Sequence, residues 1–284
     1  MQPIIITAEQ VKSALPLRAQ DSHKGTFGRL LVVGGSYGMA GAPLLAAKAA
    51  LRCGVGLAEL AVPDSIYPIL ATALPEAVYT PLLGDYPWKT LCARLPLADA
   101  LTVGCGMGHT TATRDTVTAI LRETARPVVL DADGINAVSL HILSTERTAP
   151  VVITPHPAEM ARLWGVTAGD VQANRVEYAT KTALKTGAVT VLKGHRTLVA
   201  APTGALWENP TGNDGLATGG SGDVLAGVIG SLLAQGLSPT AAAVCGVYIH
   251  GAAADMAAAT HSRTALLPSD VIDTLCALFL AWGR

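Results

Sequence analysis

The sequence predicts an α/β fold: a largely parallel central sheet with helices on both faces, in a single domain spanning residues 1–284. Three observations carry this. Short apolar runs with strand character recur along the chain, helix-compatible stretches separate the early ones, and no repeat, low-complexity tract or long polar linker divides it. Strands alternating with helices build βαβ units, whose parallel sheet is covered on both sides.

The strand-like runs are 30–33, 57–62, 100–103, 128–130, 151–154, 189–192 and 198–201. Runs such as RLLVV are apolar throughout, as strands buried on both faces require. Helices are expected at 43–53, 111–124 and 158–164. Past the strand-like segments TLVAAP and ALWENP the chain turns helical, at 223–235, 239–258 and 269–282. The middle helix of these three is dense in Ala and Gly, which lets neighbouring helices approach closely.

Half of the residues are hydrophobic and only 14% are charged, against ~25% in an ordinary soluble domain. Mean hydropathy is +0.40. Such a chain fills a large core and leaves apolar surface to share between subunits, so a homo-oligomer is expected. A net charge of −1 with scattered lysines and arginines argues against a nucleic-acid partner. Cys53, Cys92, Cys105, Cys245 and Cys276 show neither C-x-x-C spacing nor a Cys/His cluster, which argues against a zinc site and fits a reducing, cytoplasmic setting. The N-terminus, MQPIIITAEQVK, lacks the features of a signal peptide. The apolar segment VIDTLCALFLAW is too short to span a membrane and carries Asp273, so no membrane association is expected.

The chemistry concentrates in NPTGNDGLATGGSGD, residues 209–223, directly ahead of the run VLAGVIGSLLAQG. Glycine in this number reads either as a flexible loop or as backbone that must approach something closely. A helix starting near Gly222 leaves its first N–H groups unpaired and places roughly half a positive charge there. With Gly219, Gly220, Ser221 and Gly222 ahead of it, this end reads as an anion cradle. No G-x-x-x-x-G-K-[ST] loop occurs in the chain. Asp223 is open to two readings, a helix cap or a base that takes the proton of an attacking hydroxyl.

The G-G-S-G-D stretch resembles the G-A-G-D signature of the ribokinase-like superfamily. More narrowly, residues 209–223 resemble the ADP-dependent NAD(P)H-hydrate dehydratase family. Four more stretches match that family in order: HKGTFGRLLVVGGSYGMAGAPLLAAKAALRCGVGL (23–57), VLDADGIN (129–136), ITPHPAEMARL (153–163) and VLKGHRT (191–197). VYIHGAAAD (247–255) follows the loop as it does in the family.

The resemblance implies a ribokinase-like fold and a homotetramer. It implies that ADP phosphorylates the hydroxyl at C6 of the S epimer of NADH or NADPH hydrate, and that loss of phosphate then restores the reduced cofactor and leaves AMP. It makes Asp223 the base and places the hydrate against Ala42, Gly106, His156 and Asp223. It places the adenine nucleotide against Lys193, Gly194, His195, Arg196, Thr197 and Gly222. Glu159 corresponds to the glutamate that organises Mg²⁺ through water in related vitamin kinases. Asp131 and Asp133 read equally as ligands of metal or water and as helix caps. Members of the family usually carry Pro where this chain has Cys105. Relatives often carry an N-terminal epimerase domain; with HKGTFG starting at His23, the epimerase partner is expected on a separate chain.

Two other readings are weaker. A vitamin kinase using ATP would carry T-P-N-x-x-E, where this chain has His156. A dinucleotide oxidoreductase built on Gly104-Cys105-Gly106-Met107-Gly108 fails G-x-G-x-x-G, because His109 stands where the last glycine is needed. The sequence shares the hairpin reading of residues 193–197 with the nucleotide reading, since they lie between VTVL and LVAA.

Overall fold

The computed structural model describes residues 2–84 and 86–284. The described strands are β1 (Ile4–Ile5), β2 (Arg29–Val33), β3 (Leu57–Pro63), β4 (Val78–Leu82), β5 (Ala100–Val103), β6 (Val128–Leu130), β7 (Val151–Ile153), β8 (Val189–Leu192), β9 (Leu198–Ala200) and β10 (Leu206–Glu208). They form one sheet in the order β1-β10-β9-β8-β7-β6-β5-β2-β3-β4. Seven of the nine pairings are parallel, and only β9 runs antiparallel to its neighbours, β8 and β10.

Side chains alternate between the two faces of the sheet, with the period of two a strand dictates. Leu30, Val32, Leu60 and Val62 enter one apolar cluster with the helices Gly41–Arg52, Ser221–Ala234, Pro239–His261 and Pro268–Ala281. Leu31, Val33, Leu101 and Val103 enter the other, with the helix Thr111–Glu123. The predicted α/β architecture is therefore present, with all seven predicted strand runs within two residues of their observed ends.

The predicted helices are also present, and the last three begin at Ser221, Pro239 and Pro268. Among the described residues, the helix Pro239–His261 is long and apolar enough to cross a membrane, but it is largely buried among its neighbours and acts as a core helix.

The chain passes from β2 to β3 and β4 on one side, then returns to place β5 on the other side of β2. A switch of this kind opens a crevice beyond the carboxyl ends of the strands. The segments after β2, β5, β6, β7 and β8 all emerge at that end. They carry Gly34, Cys105, Asp131, His156 and Lys193.

Candidate functional site

The helix Ser221–Ala234 presents its N-terminus to this crevice because two sequence features let it lie deep. A Cβ at Gly227 would stand 2.0 Å from the Ala46 carbonyl oxygen, so only glycine permits this contact with the Gly41–Arg52 helix. Ser231 Oγ donates to the Ala50 carbonyl at 2.9 Å, one turn further along. Gly220, at φ 98°, makes the left-handed turn into the helix.

The glycine-rich segment ahead of the helix is tied down. Asn209 Nδ2 donates to the Val247 carbonyl at 2.9 Å, and Thr211 Oγ1 donates to that of Tyr248 at 3.1 Å. Asp255 accepts from Gly212 N–H and from Asn213 Nδ2, each at 2.8 Å. These bonds strap the loop to the Pro239–His261 helix, which removes the flexible-loop reading.

Asp223 lies in the first turn, and no side chain caps the helix, whose N-cap is Gly220. The capping role for Asp223 is thus not the one it adopts. Burial, and then the charge of Asp131, push its carboxyl up to about 6, while the Cys105 thiol and Lys193 pull it down. Such a carboxylate is poised to exchange a proton near neutral pH.

Opposite it, Lys193 Nζ bonds Asp131 Oδ1 at 2.7 Å and lies 3.8 Å from Glu159 Oε2. Burial disfavours the ammonium, but Asp131 and Glu159 outweigh it and hold its pKa above the usual lysine value. Thr154 Oγ1 donates to the same Asp131 oxygen at 2.6 Å. Between the two aspartates of the DAD sequence, Ala132 takes φ 48°, a conformation costing of order 1–3 kcal/mol. It sends Asp131 towards Lys193 and Asp133 towards the next loop, where Asp133 accepts from Gly108 N–H at 2.7 Å and pairs with His109 at 3.1 Å.

His156 caps the Pro157–Trp164 helix: its Nδ1 accepts from Ala158 N–H at 3.1 Å and from Glu159 N–H at 3.4 Å. The ring proton is therefore on Nε2, which faces Glu159 Oε1 at 3.4 Å. Glu159 Oε2 accepts from His156 N–H at 2.8 Å, closing a reciprocal cap. Burial lowers the His156 pKa; Glu159 opposes this, and Lys193 and Arg162 add to it.

These groups share one cavity of about 610 Å³. Residues 193–197 and 219–223 line it together with Asp131, His156 and Glu159. The predicted nucleotide, cradle and base residues are thus brought together. Residues 193–197 form the β8–β9 hairpin turn and at the same time line the cavity, and Arg196 Nε is engaged by Glu208 at 2.6 Å. A Cβ on Gly222 would stand 3.2 Å from Lys193 Nζ and 3.6 Å from Asp131 Oδ2, so that glycine faces the charged cluster. Gly219 faces open space. Ala42 and Gly106 lie outside the cavity lining but against each other, 3.0 Å from Ala42 Cβ to the position of a Cβ on Gly106.

His250 was not singled out from the sequence, although it stands alone among small residues in VYIHGAAAD. It lines the cavity at 7% exposure, and its Nε2 has no partner among the described residues. Burial, and then Lys193, push its pKa down to about 4, so the ring is neutral at pH 7.

Residues 30–277 match the family described as NAD(P)H-hydrate dehydratase. A "Bifunctional NAD(P)H-hydrate repair enzyme" of Moorella thermoacetica is 45% identical over 95% of this chain and 53% of its own length, so the chain spans about half of that relative. An "ADP-dependent (S)-NAD(P)H-hydrate dehydratase" of Neisseria meningitidis is 46% identical over 88% of this chain and 84% of its own. Among solved structures, the ADP/ATP-dependent NAD(P)H-hydrate dehydratase of Bacillus subtilis, co-crystallised with ATP and Mg²⁺, superposes with a TM-score of 0.90, at 36% identity and 99% coverage of both chains. With its sheet order, its cradle and these matches, the chain belongs to the NAD(P)H-hydrate dehydratase family.

Proposed function

We propose that this protein catalyses the ADP-dependent dehydration of the S epimer of NAD(P)H hydrate, giving NADH or NADPH, AMP and phosphate. The observation that carries the reading is Asp223, a carboxyl raised to about 6 at the glycine-lined start of a helix and facing the cavity that holds Lys193. The names of the Neisseria and Bacillus relatives support it.

ADP binds with its phosphates towards the N–H groups of residues 220–223 and the Lys193 ammonium, which stabilise charge on the transferring phosphoryl. Gly194, His195, Arg196 and Thr197 border the rest of the nucleotide. The hydrate lies between His156 and the Ala42–Gly106 contact. Asp223 takes the proton of the C6 hydroxyl as its oxygen attacks the terminal phosphorus, and AMP departs. The ring then loses phosphate from C6 and a proton from C5. Phosphorylation turns a poor leaving group, hydroxide, into a good one.

The residues present fit Mg²⁺. Asp131 and Glu159 flank the Lys193 ammonium and Asp223 lines the same cavity, and hard oxygen donors suit that cation. Both oxygens of Glu159 are engaged by His156, so Glu159 would hold it through water, with Asp131 beside it; when bound it would neutralise the nucleotide phosphates.

The pathway partner in this reading is an NAD(P)H-hydrate epimerase, since only one epimer is consumed. The setting is cytoplasmic, consistent with five free cysteines. The quaternary state in this reading is a homotetramer, in keeping with a charged fraction of only 14%. A single monomer mass in sedimentation at micromolar concentration would contradict it. Recovery of reduced-nicotinamide absorbance from hydrated NADH, ADP and Mg²⁺ tests the activity itself.

A further inference from the structure

Beneath the cavity, three donor atoms from three different elements converge. Cys105 follows β5, Asp131 follows β6, and Asp223 lies in the first turn of the Ser221–Ala234 helix. The Cys105 sulfur and one oxygen of each carboxylate all lie within 4.8 Å of one another. Cys105 is fully buried, whereas both aspartates line the cavity, so the trio has a closed side and an open one.

Charge balance adds an independent reason for a cation here. Lys193 pairs with Asp131 and Glu159, and among the described residues no ion pair reaches Asp223. Asp131 Oδ1 is taken by Thr154 and Lys193, which leaves Oδ2, on the Gly222 side, to act as a ligand. The donor mix selects the cation. Oxygen donors alone suit magnesium, but a thiolate beside two carboxylates suits zinc or its softer analogue cadmium.

We propose that Cys105, Asp131 and Asp223 form a binding site for a thiophilic divalent cation, with its fourth position facing the cavity, and that occupancy inhibits turnover by engaging Asp223. The inhibitory part rests on the reading of Asp223 as the base. Metal–sulfur and metal–oxygen bonds of about 2.3 and 2.1 Å around a tetrahedral ion separate ligand atoms by ~3.6 Å, so atoms within 4.8 Å of one another need to close by no more than about 1 Å on binding. The thiol gives up its proton to solvent as the metal–sulfur bond forms, so affinity rises with pH.

The test uses the full chain with the exposed thiols removed (Cys92→Ser, Cys276→Ser), titrated with Cd²⁺ and followed by the ultraviolet thiolate-to-cadmium charge-transfer band. One saturable cadmium per chain is expected, displaced by Zn²⁺ but not by equimolar Mg²⁺. Cys105→Ser should weaken the binding at least ~10-fold, and so should Asp223→Asn, which keeps the thiol. Zn²⁺ should inhibit hydrate turnover of the parent at least ~10-fold more strongly than that of Cys105→Ser. No band at saturating cadmium, or a band undiminished by Cys105→Ser, overturns the proposal. A band that survives Asp223→Asn at full affinity reduces the site to a single thiol and overturns it as well. Circular dichroism verifies the fold of each variant. The cadmium titration needs no substrate, so its failure is separable from failure of the dehydratase reading.

Discussion

Lys193 Nζ stands 2.7 Å from Asp131 Oδ1, and the two residues are 62 positions apart in the chain. The pair joins the ends of β6 and β8 across β7, and the Lys193 charge acts on Asp223, lowering its pKa. Lys193→Met is expected to weaken ADP binding about 10-fold or more, the scale of one charge-assisted hydrogen bond. Because Lys193 lowers the Asp223 pKa, its loss should also move the acid limb of the kcat/KM profile to higher pH. Calorimetry and a pH–rate profile check both; an unmoved limb would separate Lys193 from the base.

Asp223 sets the next prediction. Its folded-state carboxyl sits at about 6 against an ordinary 3.8, so kcat/KM should fall as pH drops through about 6. Asp223→Asn should lose at least ~10²-fold in turnover. The stability effect has the opposite sign. A raised carboxyl pKa contributes stability that is fully present below about 3.8 and lost as pH rises through about 6. The asparagine variant should therefore be more stable than the parent at pH 8, by about 3 kcal/mol for roughly two pKa units, and equal to it near pH 3.5. Thermal unfolding at the two pH values measures this, and equal stabilities at pH 8 would contradict the burial argument.

At Gly222 the backbone faces Lys193 and Asp131. A branched side chain there would fill the approach to the helix N-terminus, so Gly222→Val should abolish ADP binding by calorimetry and leave the circular dichroism native. Retained affinity would place the phosphates elsewhere.

Away from the cavity, Glu59 is 1% exposed and bonds Arg29, Arg94 and Thr80. Burial alone would raise its carboxyl, but the hydrogen bonds from Arg94, Thr80 and Arg29 outweigh it and hold the pKa low. Glu59→Gln should cost about 3 kcal/mol in urea unfolding, the low end for breaking a buried ion pair, because both arginines are partly solvent-exposed. A loss under about 1 kcal/mol would mean that solvent already screens the group.

The interior of the fold was legible because its strands are continuous apolar runs and its helices carry Gly, Pro and Ala where packing needs them. The edges were not. β4, Val78–Leu82, is half exposed and contains Pro81, and β1 is two exposed residues, so neither shows the burial pattern of a strand. At the site, the glycine cradle and Asp223 were legible because their chemistry lies in one short segment. The pairing of Lys193 with Asp131 was not, since strand neighbourhood rather than sequence proximity brings them together. His250 escaped notice because a lone histidine in an apolar helix carries no pattern; only the cavity beside it gives it meaning.

The central claim is that phosphorylation here serves only to create a leaving group. A kinase would leave the phosphoryl group on its substrate. The most direct measurement supplies hydrated NADH and ADP with Mg²⁺, and follows AMP, inorganic phosphate and reduced-nicotinamide absorbance together. The account predicts one AMP, one phosphate and one NADH per turnover; ADP consumed without free phosphate or recovered absorbance would contradict it.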